Sequence, residues 1–198
     1  MKEKVIVIAE SLVGQKLMER LLACHPRLRS ERIPVRESEN RFGTQSTART
    51  ILVTKRIPVA VVMDADRDDP PEIRQFEYHS RDMMEAVLSA VALYRFWCVT
   101  YLKPCLEVLL FREPLLRQGV LPTAPTAEQL QRAQQEPRQV LAELFTRAGG
   151  PPYPEALLQW LQHVDLSPLW SIRGLRPLEA FLLRQFETQP EDAPDGPV

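Results

Sequence analysis

The sequence predicts an α/β protein in which a parallel β-sheet is flanked by helices and followed by a helical C-terminal extension. In the first half, short apolar segments rich in β-branched residues alternate with helical patterns, as in parallel sheets buried on both faces. The second half is rich in Gln, Ala and Glu and contains no convincing strand. The chain has 198 residues, of which 44% are hydrophobic and 26% charged, and this excludes wholesale disorder and a collagen-like fibre.

Four segments have strand character. They are residues 5–9, 33–35, 58–63 and 97–102. The first and third are continuous apolar runs, which are typical of strands buried on both faces. Pro34 restricts the second segment to a sheet edge or a loop, because proline cannot donate a ladder hydrogen bond. The fourth is closed by Lys103 and Pro104.

Helical patterns fill the intervals between these strands. Ser11 is placed to cap a helix that begins at Leu12. Further helices are predicted at residues 44–54, 82–96, 105–111, 126–148, 154–163 and 175–186. We therefore predict an α/β core over residues 1–118, a helical extension packed on it over residues 119–186, and a disordered acidic, proline-rich tail over residues 187–198.

Cysteine usage and hydropathy favour a cytoplasmic protein. Three cysteines without a CxxC pair argue against a disulfide framework or a zinc site. No segment approaches the roughly 18 apolar residues of a membrane span. The apolar run near the N-terminus is also shorter than the roughly 7–15 residues of a secretory signal core.

Charge is unevenly distributed although the net charge is −1. Residues 27–56 contain eight basic side chains against three glutamates, and residues 64–85 contain eight acids against three arginines. A basic block beside an acidic cluster suits a metal-assisted site that handles phosphates. The same pattern is compatible with two solvated surfaces of a neutral protein.

Acidic residues follow two of the strongest predicted strands. Glu10 follows the strand predicted at residues 5–9. Asp64 and Asp66 follow the strand predicted at residues 58–63, in the segment VVMDADRDDP. Open α/β sheets place their chemistry at the carboxyl ends of strands, so these side chains are expected to converge. Alternation along an extended chain points Asp64 and Asp66 to the same side. Carboxylate oxygens are the ligands that Mg²⁺ prefers, so the sequence predicts a magnesium site at this edge.

This order of acids resembles the Toprim domain, a Rossmann-like fold shared by topoisomerases, bacterial primases and nucleases of the overcoming-lysogenization-defect (OLD) class. Glu10 in IVIAES matches the glutamate of that family, and Asp64 and Asp66 match its DxD pair. Ser11 stands where the family usually has glycine.

Two further segments are similar to small stand-alone Toprim proteins. The segment KPCLEVLLFREP brings Pro104, Glu107 and Glu113 to matching positions, and VDLSPLWSIRGLRPLEAFLL is similar to the closing helices. The chain has no GxxxxGK[ST] motif, so a nucleotide-driven partner would be a separate ATPase chain.

The resemblance implies Mg²⁺-dependent cleavage of phosphodiester bonds, with Mn²⁺ as a substitute, and a role in anti-phage defence. Glu10, Asp64 and Asp66 would hold the metal ion and carry catalysis, and Glu107 would bind a second ion. Lys103 would stand at the mouth of the site and offset charge on the reacting phosphate.

The basic block would bind nucleic acid, either DNA or RNA, through its backbone. The preferred contacts are Arg36, Arg41 and Arg49. A separate ATPase and a second copy of the chain are further expected partners.

Each assignment has a structural alternative. Lys103 before Pro104 is also suited to terminating a strand. Glu107 could face solvent, although a charge within an apolar run is seldom left unpaired. Asp68 and Asp69 could extend the metal site or cap a following helix.

Two other interpretations of the whole chain stay open. A receiver domain of two-component signalling would be phosphorylated on Asp64 with Lys103 close by, but it would carry an acidic pair where this chain has Glu10 and Ser11. A non-catalytic Toprim-fold subunit would bind nucleic acid or an ATPase without cutting.

Overall fold

Four parallel strands form one sheet, in the order β2-β1-β3-β4, in a computed structural model that describes residues 3–38, 40–64 and 82–187. The strands are β1 (Ile6–Ala9), β2 (Val35–Glu37), β3 (Val59–Asp64) and β4 (Trp97–Leu102). Helices flank the sheet, which confirms the predicted α/β fold class.

The described helices are α1 (Leu12–Cys24), α2 (Arg41–Thr50), α3 (82–89), α4 (Glu113–Leu116), α5 (Ala127–Arg132), α6 (Pro137–Arg147), α7 (Glu155–Leu161) and α8 (Arg176–Glu187). A π-helical turn follows α2 at Ile51–Lys55, and 3₁₀ turns lie at Tyr94–Phe96, Leu106–Phe111, Ser167–Ser171 and Arg173–Leu175. None of the helices in the described ranges is both long and apolar enough to cross a membrane.

Three helix predictions need correction. The helix predicted over residues 82–96 ends at residue 89, and the chain then passes through a turn and a short 3₁₀ segment. The helix predicted over residues 126–148 is two helices, α5 and α6, because Pro137 opens a new helix and cannot continue the preceding one. The segment predicted as a helix over residues 105–111 is a 3₁₀ turn that begins at Leu106.

The predictions of the strands and of the helix cap agree more closely with the structure. β4 has the predicted bounds, and β2 pairs with β1 at a sheet edge, shifted to residues after Pro34. Ser11 caps α1, because its hydroxyl oxygen accepts a hydrogen bond from the backbone N–H of Gly14 at 3.1 Å. α8 includes Glu187, the first residue of the predicted tail, and the rest of that tail lies outside the described residues.

The two faces of the sheet bury separate hydrophobic clusters. Ile6 and Ile8 of β1 face the cluster that contains α2 and α3, whereas Val7 faces the cluster built by α1 and the C-terminal helices. This alternation is the two-residue period of a strand buried on both sides. The second cluster runs from Val5 to Leu182, so the C-terminal helices share a core with the sheet.

The parallel register brings the ends of β1 and β3 side by side. Ala9 pairs with Val62, which places the residue that follows β1 beside the end of β3. After β1 the chain enters α1, and after β4 it enters the 3₁₀ turn Leu106–Phe111. The carboxyl edge of the sheet is therefore lined by these connections.

Candidate active site

Glu10 and Asp64 meet at the carboxyl edge of the two central strands. Oε2 of Glu10 accepts a hydrogen bond from the backbone N–H of Asp64 at 2.9 Å. Each side chain is only 10% exposed. The structure thus brings together two of the acids that the sequence singled out, one from β1 and one from β3.

Arg41 braces these two strand ends from the first position of α2. Its Nε lies 3.5 Å from Oε1 of Glu10, and its Nη2 donates to the carbonyl oxygen of Asp64 at 3.0 Å. The sequence predicted Arg41 as a contact to the nucleic-acid backbone. In the structure its guanidinium contacts Glu10 and Asp64 and its side chain is 22% exposed, so Arg41 contributes to the frame of the site.

The carboxylate of Asp64 accepts hydrogen bonds from two other elements. Oδ1 accepts from the backbone N–H of Leu106 at 2.8 Å, at the start of the 3₁₀ turn after β4. Oδ2 accepts from Nη2 of Arg138 at 2.7 Å. Asp64 therefore connects the end of β3 with the loop after β4 and with helix α6.

Glu107 is buried within the same network. Its side chain is 2% exposed, and Oε1 accepts from Nε of Arg138 at 2.9 Å and from the hydroxyl of Tyr153 at 2.8 Å. The sequence predicted that a charge in this apolar run needs a partner, and Arg138 is that partner. Glu107 does not face solvent.

The pKa values of this network follow from burial and from the Arg138 charge. Burial by itself would raise the pKa of Glu107, but the attraction of Arg138 and the hydrogen bonds from Cys105 and Arg138 outweigh it and hold the pKa below its ordinary value. Burial, and then the charge of Glu107, raise the pKa of Tyr153. Burial likewise raises the pKa of the Cys105 thiol. Near neutral pH the network thus consists of a carboxylate, a guanidinium, a neutral phenol and a neutral thiol.

Arg138, like Tyr153, is a residue of this network that the sequence did not predict. It lies in the first turn of α6, within a segment that was predicted as the interior of one long helix. The signal that could have found it is Pro137, which marks a helix start and so places Arg138 at the end of a helix rather than along its side. Val140 and Leu141 anchor this helix in the core, since both are fully buried.

The remaining predicted site residues are distributed unevenly. Asp66 lies outside the described residues, as do Asp68 and Asp69. Lys103 is exposed and directly follows β4.

Two predicted nucleic-acid contacts lie outside the cluster of acids. Arg36 belongs to the edge strand β2, with Nη2 3.6 Å from Oε1 of Glu3, and Arg49 is exposed on the last turn of α2.

Glu10 and Asp64 provide the type of ligand that a hard cation such as Mg²⁺ prefers, and both oxygens of Asp64 also accept hydrogen bonds, from Leu106 and Arg138. Both side chains offer carboxylate oxygens from adjacent strand ends. Within the described residues no group of three or more His, Cys, Asp or Glu side chains is arranged to hold a metal ion, and the next predicted ligand, Asp66, falls outside them. Glu107 is 2% exposed and paired with Arg138, and this positive charge disfavours a second cation at the carboxylate.

Comparisons with known proteins identify the fold. No family model and no curated protein matches the chain. Among solved structures, the C-terminal region of the Burkholderia pseudomallei OLD protein matches with a TM-score of 0.56 and 17% identity, over 93% of this chain and 100% of that chain. Two structures of the same region of the Xanthomonas campestris pv. campestris OLD protein give TM-scores of 0.49 and 0.48 at 15% and 14% identity, covering 93% and 92% of this chain and 98% of each of those chains. The Burkholderia match shows that the chain has the fold of an OLD C-terminal region.

Proposed function

We propose that this protein cleaves phosphodiester bonds in nucleic acid with a divalent metal ion held by Glu10, Asp64 and Asp66. The observation that carries the proposal is the contact between Glu10 and Asp64, 2.9 Å from carboxylate oxygen to backbone nitrogen, at the carboxyl edge of the sheet. Open α/β sheets bind their ligands at this edge. The fold shared with an OLD C-terminal region supports the proposal.

The side chains of this edge have separate tasks. Glu10 and Asp64 supply oxygen ligands, and Arg41 fixes their spacing through its contacts to both residues. Asp66 adds a further carboxylate from the segment after β3. When bound, a divalent ion lowers the pKa of a coordinated water and neutralises charge on the reacting phosphate.

Exposed basic residues would hold the substrate through its phosphates. Lys103 directly follows Leu102, which pairs with Asp64 at the carboxyl edge of the sheet, and it would offset phosphate charge. Arg36 and Arg49 extend the basic surface along β2 and α2. Contacts of this kind are independent of sequence and sensitive to salt.

A separate ATPase chain and a role in anti-phage defence form part of this proposal. Both come from the likeness to OLD proteins and from the resemblance to Toprim proteins. Co-purification of the tagged chain with a motor-type ATPase of its own host is the corresponding test.

Nicking of supercoiled plasmid tests the central proposal. Purified protein is incubated with Mg²⁺ or Mn²⁺, with EDTA as the metal-free control, and wild type is compared with Asp66→Ala and Glu10→Gln. Glu113→Gln is the matched control, because it applies the same chemistry to a carboxylate that is 72% exposed. We expect metal-dependent nicking in wild type and Glu113→Gln, reduced by about 100-fold or more in the two site variants.

Other outcomes point to other functions. A non-catalytic binding subunit is favoured by one observation, the ion pair that already ties Asp64 to Arg138. Such a subunit would bind plasmid DNA or RNA and would cut neither of them, whichever divalent metal ion is supplied. Phosphate transfer from acetyl phosphate to Asp64 would instead identify a receiver. Equal cutting by all variants would place the activity elsewhere and overturn the proposal.

A further inference from the structure

The guanidinium of Arg138 bridges two carboxylates that come from different parts of the sheet edge. Its Nη2 donates to Oδ2 of Asp64 at 2.7 Å, and its Nε donates to Oε1 of Glu107 at 2.9 Å. A planar guanidinium presents these donors in a fixed fork, so one side chain sets the separation of both carboxylates.

A second divalent ion between Asp64 and Glu107 would lie beside the Arg138 guanidinium, whose positive charge repels a cation. Oε1 of Glu107 also accepts from Tyr153, and the Glu107 side chain is 2% exposed. Mg²⁺ usually keeps several waters when it binds to a protein. A hydrated ion at Glu107 would have to displace the donors on Oε1 and would bring its positive charge next to that of Arg138.

Arg138 is held in this position by the core. It follows the buried Pro137 in the first turn of α6, and the next turn contributes Val140 and Leu141 to the hydrophobic cluster. The helix packs against the 3₁₀ turn that carries Glu107. The backbone of Arg138 is therefore anchored in the core, and its side chain, which is 39% exposed, is held by its bonds to the two carboxylates.

Glu10 differs from Glu107 in its surroundings. Glu10 follows β1 and Glu107 follows β4, the two strands that flank β3, so the two residues approach Asp64 from opposite directions. Oε2 of Glu10 accepts from the backbone of Asp64, and Oε1 lies 3.5 Å from Arg41. The two sides of Asp64 are thus unequal: Glu10 lies on one side and the Arg138–Glu107 pair on the other.

We propose that Arg138 takes the place of a second metal ion, so that the site binds one divalent ion per chain, on the Glu10 side of Asp64. Glu107 is then a positioning residue that holds Arg138, and it is not a metal ligand. This inference rests on the proposed function, because it assumes that Glu10 and Asp64 bind a metal ion.

Counting bound Mn²⁺ tests the inference without any assay of cleavage. Equilibrium dialysis, with free Mn²⁺ read by electron paramagnetic resonance, gives the number of ions per chain for the full-length protein. We expect one ion for wild type and one for Glu107→Gln, with affinities that differ less than about threefold. Glu10→Gln should bind Mn²⁺ about tenfold more weakly or worse.

Variants of Arg138 test directly whether its guanidinium excludes a second metal ion. Arg138→Lys keeps a cation beside Asp64 and should still bind one ion, whereas Arg138→Gln removes the charge and should bind two. Circular dichroism and thermal unfolding confirm that each variant is folded. If Arg138→Gln does not fold, wild type and Glu107→Gln still decide the question. Glu113→Gln is the control for loss of an exposed carboxylate.

The contrary results are distinct from failure of the proposed function. Two ions in wild type, falling to one in Glu107→Gln, would make Glu107 a ligand and overturn the inference. One ion in a folded Arg138→Gln would also overturn it, since the guanidinium would then exclude nothing. In both cases metal-dependent nicking could persist. No bound Mn²⁺ in wild type, together with no nicking, would remove the proposed function itself.

Discussion

Nη2 of Arg138 lies 2.7 Å from Oδ2 of Asp64, although the two residues are 74 positions apart in the chain. Asp64 is the last residue of the central strand β3, and Arg138 lies in the first turn of α6, in the C-terminal part of the chain. The helical part therefore supplies a charged group to the sheet edge in addition to covering one face of the sheet. Folding of both parts is needed to assemble this edge.

Removal of the Arg138 charge should cost substantial stability. In Arg138→Met, Glu107 stays buried as a carboxylate without its cation, and such a loss costs about 3 kcal/mol or more. Urea unfolding at neutral pH measures the difference in free energy of unfolding. Arg117→Met is the matched control, because Arg117 is 76% exposed and forms a surface ion pair with Glu113; its effect should stay within about 0.5 kcal/mol. Equal effects in the two variants would show that the buried network contributes nothing.

The Glu107 carboxylate should make the protein sensitive to acid. Its pKa is lower in the folded protein than the ordinary value of 4.5, so its contribution to stability is present above about pH 4.5 and is lost as pH falls through the folded pKa. Glu107→Gln cannot ionise and lacks this contribution. The difference in free energy of unfolding between wild type and Glu107→Gln should be constant from pH 7 to about pH 5 and narrow below pH 4.5. A gap that widens in acid would contradict the lowered pKa.

Strand positions could be predicted because the sheet imposes a strong pattern. Strands buried on both faces must be apolar along their whole length, as Val59 to Met63 are, and acids directly after them fall at the carboxyl edge. The contact between Glu10 and Asp64 follows from that register. Local chemistry also identified Ser11 as a cap, because the capping bond joins residues three positions apart.

The rest of the site depends on tertiary packing that no local pattern records. Glu107 clearly needed a partner, but the choice of Arg138 depends on where α6 docks against the turn after β4. The same is true of Arg41. The approach of α2 to β1 and β3 decides whether this arginine at the helix start points outward to phosphates or inward to the strand ends. The composition of residues 27–56 identified a cluster of basic side chains, but it could not show which way each side chain points.

Gly43 should be intolerant of a side chain. A Cβ there would lie 2.3 Å from the carbonyl oxygen of Ser38, and Ser38 is tied to the end of β1 because its N–H and hydroxyl both donate to the carbonyl of Ala9. Gly43→Ala should therefore lower the free energy of unfolding by about 1–3 kcal/mol and displace the start of α2, which carries Arg41. Thermal unfolding measures the first effect and Mn²⁺ affinity the second.

Gly174→Ala is the control for this substitution. A Cβ at Gly174 meets nothing within 4 Å, so stability should stay the same or rise by about 0.4–1 kcal/mol through loss of backbone freedom in the unfolded chain. If both alanine variants behave alike, the contact between α2 and Ser38 does not constrain the site.

Arg41 and Arg49 should respond differently when nucleic acid binding is measured against salt. Arg49 is exposed on the last turn of α2, so Arg49→Ala should lower the slope of log affinity against log salt by about 0.7–0.9, the loss of one phosphate contact, with unchanged thermal stability. Arg41 contacts Glu10 and the carbonyl of Asp64, so Arg41→Ala should leave that slope nearly unchanged, lower stability, and weaken Mn²⁺ binding because the two strand ends lose their brace. Fluorescence anisotropy with a labelled oligonucleotide, titrated with NaCl in EDTA, separates backbone contact from metal binding. A loss of slope in Arg41→Ala equal to that in Arg49→Ala would instead place the Arg41 guanidinium on the phosphate backbone, as the sequence had predicted.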